Sequence, residues 1–175
     1  MCLNQFTKIL PGMAMVATLV VSAATSAADD TFLKLDGIEG ESKNELHKKE
    51  IDVLAWSWGS AKINKSKCVS VQDLSLSKYV DAASPKLIGN LATGQAIPNA
   101  KLTVRKGGER PVEYLLLEMS NVIVLSISAN GSVGEDRVIE NVTLNFGTMK
   151  ATYTQQLDNG TLKPIVTNIA NTCPT

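Results

Sequence analysis

From position 31 onward apolar residues recur mostly at every second position, the spacing of side chains that point alternately to the two faces of a β-strand. That period restricts the chain to a sheet-based fold. Lys101 to Lys106 alternates cleanly, with Leu102 and Val104 inward and Lys101, Thr103 and Arg105 outward. Thr31 to Leu35 and Cys68 to Leu76 read as further strands. Ile51 to Trp58 is a strand with Leu54, Trp56 and Trp58 on one face and Ile51 and Val53 on the other, closed by Gly59. After a turn at Gly107-Gly108, Val112 to Met119 and Val122 to Ser128 are expected as adjacent antiparallel strands. The first is apolar on both faces along Leu115-Leu116-Leu117, which implies cover on both sides and therefore oligomerisation. A long strand from Arg137 to Gln156 follows the loop marked by Asn130-Gly131 and Gly134. Its apolar set moves from even positions (Val142, Leu144, Phe146) to odd ones (Met149, Ala151, Tyr153), and a β-bulge at Gly147 accounts for the change of phase. Asp158-Asn159-Gly160 turns the chain into a last stretch, Leu162 to Thr175.

Only one segment has helical spacing. Ser84 is placed as an N-cap, Pro85 follows at the first helical position, Leu87, Ile88 and Leu91 form the apolar stripe, and Gly94 ends it. A helix of about 85–93 is too short to hold alone in water, so its stripe must cover an open part of the sheet. Gly37 to Glu50, after the turn at Asp36-Gly37, is polar and poor in β-branched residues and reads as a long loop. The expected architecture is mainly β: a compact antiparallel β-barrel or sandwich with one short lateral α-helix.

The first 28 residues have a different character. Lys8 supplies a basic start, Met13 to Val21 an apolar run too short to span a bilayer, and Ser26-Ala27-Ala28 small residues at a cleavage position. Residues 1–28 are therefore expected to be a signal peptide cut between Ala28 and Asp29, leaving 29–175 as one domain with no stable membrane insertion. Cys2 leaves with it. The remaining pair, Cys68 and Cys173, meets an oxidising compartment, and a disulfide between them is the natural hypothesis; the alternative is two thiols that never meet.

Seventeen basic residues balance seventeen acidic ones, so the chain as a whole carries no field to collect nucleic acid. The chain's one histidine, His47, sits in the polar loop beside Lys48 and Lys49; it reads as an exposed loop residue, with a subunit contact as the alternative, and makes a poor metal nucleus. No nucleophile elbow, paired-histidine zinc motif, Cys-x-x-Cys or phosphate-binding loop is present. Glu109 with Glu113, and Glu135 with Asp136, read as solvated turn and strand-edge charges ahead of an acid–base pair. Trp56 and Trp58 read as packing residues ahead of a stacking platform.

One pattern begins with Phe32-Leu33-Lys34-Leu35-Asp36-Gly37-Ile38-Glu39-Gly40-Glu41-Ser42, then His47, then Glu50-Ile51-Asp52-Val53-Leu54-Ala55-Trp56-Ser57-Trp58-Gly59. Val71-Gln72-Asp73-Leu74-Ser75, Lys78-Tyr79-Val80-Asp81, Ser84-Pro85-Lys86-Leu87, Leu102-Thr103-Val104-Arg105-Lys106 and Glu140-Asn141-Val142-Thr143-Leu144-Asn145-Phe146 continue it. Over about residues 31 to 156 these stretches together resemble the Hcp family of type VI secretion. The resemblance implies a β-barrel with a lateral helix that assembles into homo-hexameric rings, stacked into a tube with a wide lumen. It also implies secreted effectors as cargo, spike and sheath proteins as partners, no cofactor, no catalysis and secretion out of the cell. By the same resemblance, the loop residues Gly37, Ile38, Gly40, Glu41, Ser42, His47 and Glu50 contact neighbouring subunits and layers. Two features depart from the family pattern, the leader at 1–28 and the Cys68 and Cys173 pair. They support an alternative, an independently exported ring-former acting in the periplasm or medium outside any sheath.

Overall fold

The computed structural model describes residues 29–62, 69–108, 111–134 and 136–170. The expected leader and its cleavage residue Ala28, both Cys68 and Cys173, and Glu109 and Glu135 lie outside the described residues. In chain order the elements are β1 (Asp30–Leu35), β2 (Ile51–Ser57), β3 (Ser60–Lys62), β4 (Val69–Val71), β5 (Leu74–Tyr79), α1 (Ser84–Thr93), β6 (Ile97–Lys106), β7 (Val112–Asn130), β8 (Ile139–Gln156) and β9 (Leu162–Ala170). Antiparallel pairing runs β5-β2-β1-β6-β7-β8, and β8 returns to β5, so six strands close into a barrel. The expected mainly β fold with one helix is the fold found. Closure satisfies both edges of strands that would otherwise invite pairing with other chains.

Strand β8 serves two partners along one edge. Ile139 to Leu144 pair with β5 and complete the barrel, whereas Thr148 to Gln156 pair with β9. The core lies inside the barrel, among Leu33, Leu35, Ile51, Val53, Leu74, Leu76, Leu102, Leu117, Met119, Val122, Val124, Val142, Leu144, Phe146 and Met149. Each large aliphatic side chain removed from water there stabilises the fold by about 1.5–3 kcal/mol.

Expectation and structure part at several strand irregularities. Strand β7 is continuous, not two adjacent strands, because Asn121 adopts a φ of 53° and carries the chain onward without reversing it. Gly147 of β8 lies against it; a Cβ there would sit 3.5 Å from the Asn121 Cβ. Ser120 faces Thr148 and Val122 faces Phe146, so the register does not shift at this point. The change of phase at Gly147 is therefore no single-strand bulge. Both strands exchange faces together: Leu117 and Met119 give way to Val122 and Val124, while Phe146 gives way to Met149. The bulge in this pair lies at Leu125, between Val124 and Ser126. Of the three consecutive leucines, Leu117 is in the core, Leu115 packs against it, and Leu116 is half-buried.

A further bulge at Leu54 corrects the expected faces of β2. Val53 faces Lys78 and Ala55 faces Ser77, so Leu54 is the extra residue and turns to solvent. Past it, Trp56 and Trp58 come round to pack against the core, as the packing reading had them. The stretch from Cys68 to Leu76 is not one strand either. It breaks at Gln72-Asp73, because β4 pairs with β3 in a separate hairpin while β5 must enter the barrel. Helix α1 ends at Gly94, with a left-handed φ of 66°, as its sequence requires. Ser84 is not its cap: the Asp81 carboxylate accepts the Ala83 N–H at 2.9 Å, and Ser84 turns its hydroxyl inward. Leu87 is buried under the helix, whereas Ile88 points away and is 53% exposed.

Candidate assembly surface at the loop between β1 and β2

Leu33 and Leu35 of β1 point into the core, so Phe32 points out of the barrel, in line with Thr103 of β6 and Leu116 of β7. An aromatic ring on the outside of a barrel needs cover, and the loop after β1 folds back to supply it. His47 lies on Phe32 with ring centroids 4.1 Å apart and planes 8° from parallel. The histidine is only 3% exposed, which corrects its reading as a solvated loop residue. Its Nδ1 is 2.9 Å from Glu50 Oε2, and its Nε2 faces Glu113 Oε1 at 3.4 Å. Under the same cover Thr103 and Arg105, expected on the outward face, are buried. Arg105 donates to Asp30 Oδ2 at 2.6 Å and to Asn44 Oδ1 at 3.3 Å, with its guanidinium 5.3 Å from the centre of the Phe32 ring.

The loop is held as two arms laid side by side. Gly40 N–H donates to the Lys49 carbonyl, Ser42 N–H to that of Glu50, and Lys49 N–H to that of Ser42. Gly40 is required by this approach, since a Cβ there would lie 2.6 Å from the Glu50 carbonyl oxygen. Two ties fasten the loop to the region of α1: Glu41 Oε1 accepts the Ala82 N–H at 3.1 Å, and Lys86 Nζ donates to the Gly37 carbonyl at 3.1 Å.

The seven loop residues named from the sequence therefore do not form one outward face. Ile38, Gly40, Ser42, His47 and Glu50 are buried and hold the loop's shape; Gly37 makes its first turn at a φ of 78°; Glu41 is exposed and ties it to the helix. Glu39, Lys43, Glu45, Leu46, Lys48 and Lys49 face outward instead, and Leu46 is 71% exposed. The buried positions were chosen by resemblance, but the outward ones alternate with them, a pattern the loop's ladder of backbone hydrogen bonds explains. Asp29, at the expected cleavage point, accepts a hydrogen bond from Tyr114 Oη at 2.8 Å. That bond, followed by burial and the Asp29 charge, raises the Tyr114 pKa above its ordinary value.

A buried polar cluster under α1 was missed in the sequence. Lys78 is fully enclosed, and its ammonium donates to Glu140 Oε1, Asp81 Oδ1 and the Tyr79 carbonyl, each at 2.7 Å, and to Ser84 Oγ at 3.3 Å. Ser84 Oγ in turn donates to Glu140 Oε1 at 2.7 Å. The signal was present: Lys78 continues the inward positions Leu74 and Leu76, and Glu140 those of Val142 and Leu144. Charges at inward positions of two neighbouring strands mark a partnered pair. The cluster welds β5, β8 and the start of α1 together, and with them the loop that α1 holds. Among the described residues, no three His, Cys, Asp or Glu side chains are arranged to hold a metal ion, and no helix is long and apolar enough to cross a membrane.

Comparison with known proteins reaches the same architecture. Residues 32–153 match the family model described as type VI secretion system effector, Hcp. Protein hcp1 of Pseudomonas aeruginosa is 46% identical over 142 residues, covering 76% of this chain and 88% of that protein. Among solved structures, Hcp1 from Salmonella typhimurium superposes with a TM-score of 0.70 at 39% identity, over 82% of this chain and 95% of that one. A type VI secretion system effector from Yersinia pestis does so at 0.70 and 35%, over 81% and 99%. The match takes in the folded loop, the helix and the six barrel strands, and by it this chain belongs to the Hcp family of type VI secretion.

Proposed function

We propose that this Hcp chain is the ring-forming subunit of a secretion tube, that six copies make the ring, and that the loop from Gly37 to Glu50 joins neighbouring copies. The observation that carries the reading is the loop itself. Fourteen positions without helix or strand are pinned by backbone hydrogen bonds, a stacked histidine and two ties to the helix region, yet a leucine is left at the surface among charges. A long loop ordered to this degree is built to present a surface. Leu46, flanked by Glu45, Lys48 and Lys49, has the make-up of an interface anchor with a polar rim. Ring assembly gives the exposed leucine an occupant. The lumen of such a ring takes secreted effector proteins as cargo, and the chain itself does no catalysis.

The alternative, favoured by the leader at 1–28, is an independently exported ring-former acting in the periplasm or medium outside any sheath, with a disulfide between Cys68 and Cys173. Its support is in the sequence, which leaves two cysteines in a chain sent to an oxidising compartment. The test is to recover the protein from the periplasm and medium and determine its first residue and native mass. A hexamer starting at Asp29 establishes an exported ring and favours the alternative. A chain that keeps Met1 and is found only with a contractile sheath overturns the export route and leaves the tube reading in place.

A further inference from the structure

The bulge in β2 sends an apolar side chain out of the barrel. Ile51 and Val53 are buried in the core, whereas Leu54, the extra residue, is 46% exposed. Bulges re-aim single side chains, and an exposed leucine aimed this way has no use within one chain. Leu54 lines a hollow of about 540 Å³ together with Tyr79, Arg137, Asp52 and Lys43. One wall is a stacked pair, with the Arg137 guanidinium 4.2 Å from the centre of the Tyr79 ring. Two further lining carboxylates are already engaged, Glu41 by the Ala82 N–H and Asp81 by the Lys78 ammonium. A leucine beside a tyrosine and an arginine is the composition of a recess that receives an anchor side chain.

The loop carries such a side chain. Leu46 lines a different hollow, which shares no residue with the one at Leu54. The charges beside the two leucines also match. Lys49 is taken up by Glu39, but Glu45 and Lys48 beside Leu46, and Asp52, Lys43 and Arg137 about Leu54, make no ion pair among the described residues. Each sign at one leucine therefore has its opposite at the other: Glu45 for Arg137 or Lys43, and Lys48 for Asp52.

We infer that the hollow at Leu54 is the seat for Leu46 of a second copy of this chain, so that copies join head to tail. The inference rests on the reading that the loop joins neighbouring copies, and it names the surface the loop meets. Such a contact is heterologous: every copy gives one leucine and offers one seat, and a row of copies is finished only by closing into a ring.

Native mass of the chain from Asp29 onward tests it, at rising protein concentration, for Leu46→Glu and Leu54→Glu alone and mixed. Each variant alone is expected to be monomeric with an unchanged β-rich circular dichroism spectrum. The mixture is expected to form a one-to-one dimer and nothing larger, because only the loop of the Leu54→Glu chain and the seat of the Leu46→Glu chain remain intact. Asp52→Lys is expected to weaken assembly of the otherwise wild-type chain about tenfold, and adding Lys48→Asp to restore most of it. This charge exchange decides the matter should Leu54→Glu fail to fold. A Leu54→Glu chain that assembles like wild type, a mixture that stays monomeric, or a charge exchange that restores nothing overturns the seat. If Leu46→Glu alone blocks assembly in those cases, the loop reading survives without it; if Leu46→Glu still assembles, both fail.

Discussion

The ammonium of Lys78 and the carboxylate of Glu140 meet at 2.7 Å across the β5–β8 ladder, both shut away from water at the seam where the barrel closes. Lys78 also pairs with Asp81, so removing the lysine leaves two buried carboxylates without their cation. Lys78→Met is expected to lower unfolding stability by about 3–5 kcal/mol in urea titrations. Replacing both, as Lys78→Met with Glu140→Leu, leaves only Asp81 without its cation and is expected to recover part of that loss. A double variant as unstable as the sum of the two singles would show that the pair is not coupled.

Close packing of the loop's two arms depends on Gly40. Gly40→Ala pushes a methyl into the Glu50 carbonyl and is expected to cost about 1–3 kcal/mol and to raise amide exchange in the loop. Gly37→Ala meets no neighbour and suffers only from its positive φ, so a smaller cost of about 1 kcal/mol is expected. Equal losses at the two positions would count against the two-arm geometry.

Tyr114 gives a pH prediction with a defined sign. Its pKa is raised by the hydrogen bond to Asp29, so the folded state favours the neutral phenol. The contribution is fully present below the ordinary tyrosine value near 10 and is lost as pH rises through the raised value. Ultraviolet titration should find one late-ionising tyrosine in the wild type, and Asp29→Asn should bring it back toward the others. An unchanged titration in Asp29→Asn would place the cause elsewhere.

The cysteine pair is tested by mass. Protein exported through an oxidising compartment should gain two mass units on reduction, from one disulfide between Cys68 and Cys173. Loss of a bridge closing on the order of 100 residues is expected to lower stability by up to about 4–5 kcal/mol. Two free thiols in such protein would dismiss it.

How much of this was legible from the residues depends on whether the information is local. Alternation at Leu102 and Val104, the turn at Gly37 and the helix stop at Gly94 are written in adjacent positions, and the strands and helix follow from them. Asn121 and Leu54 were not, because whether an irregularity reverses a chain or shifts its phase depends on the strand alongside. His47 misled for the same reason. Lysines on its C-terminal side make the segment look solvated, and only the folding of β1 shows that Phe32 points outward and needs a ring to cover it. Resemblance picked out the loop but not its exposed side, since the buried residues that shape a surface match a family pattern as well as those that form it.

The most direct test of the account is the native mass of the chain from Asp29 onward, measured for wild type and for Leu46→Glu. The account predicts a hexamer for the wild type, and a monomer with an unchanged β-rich circular dichroism spectrum for Leu46→Glu. A wild-type chain that stays monomeric, or a Leu46→Glu chain that still forms the ring, would contradict the loop as the contact that builds it.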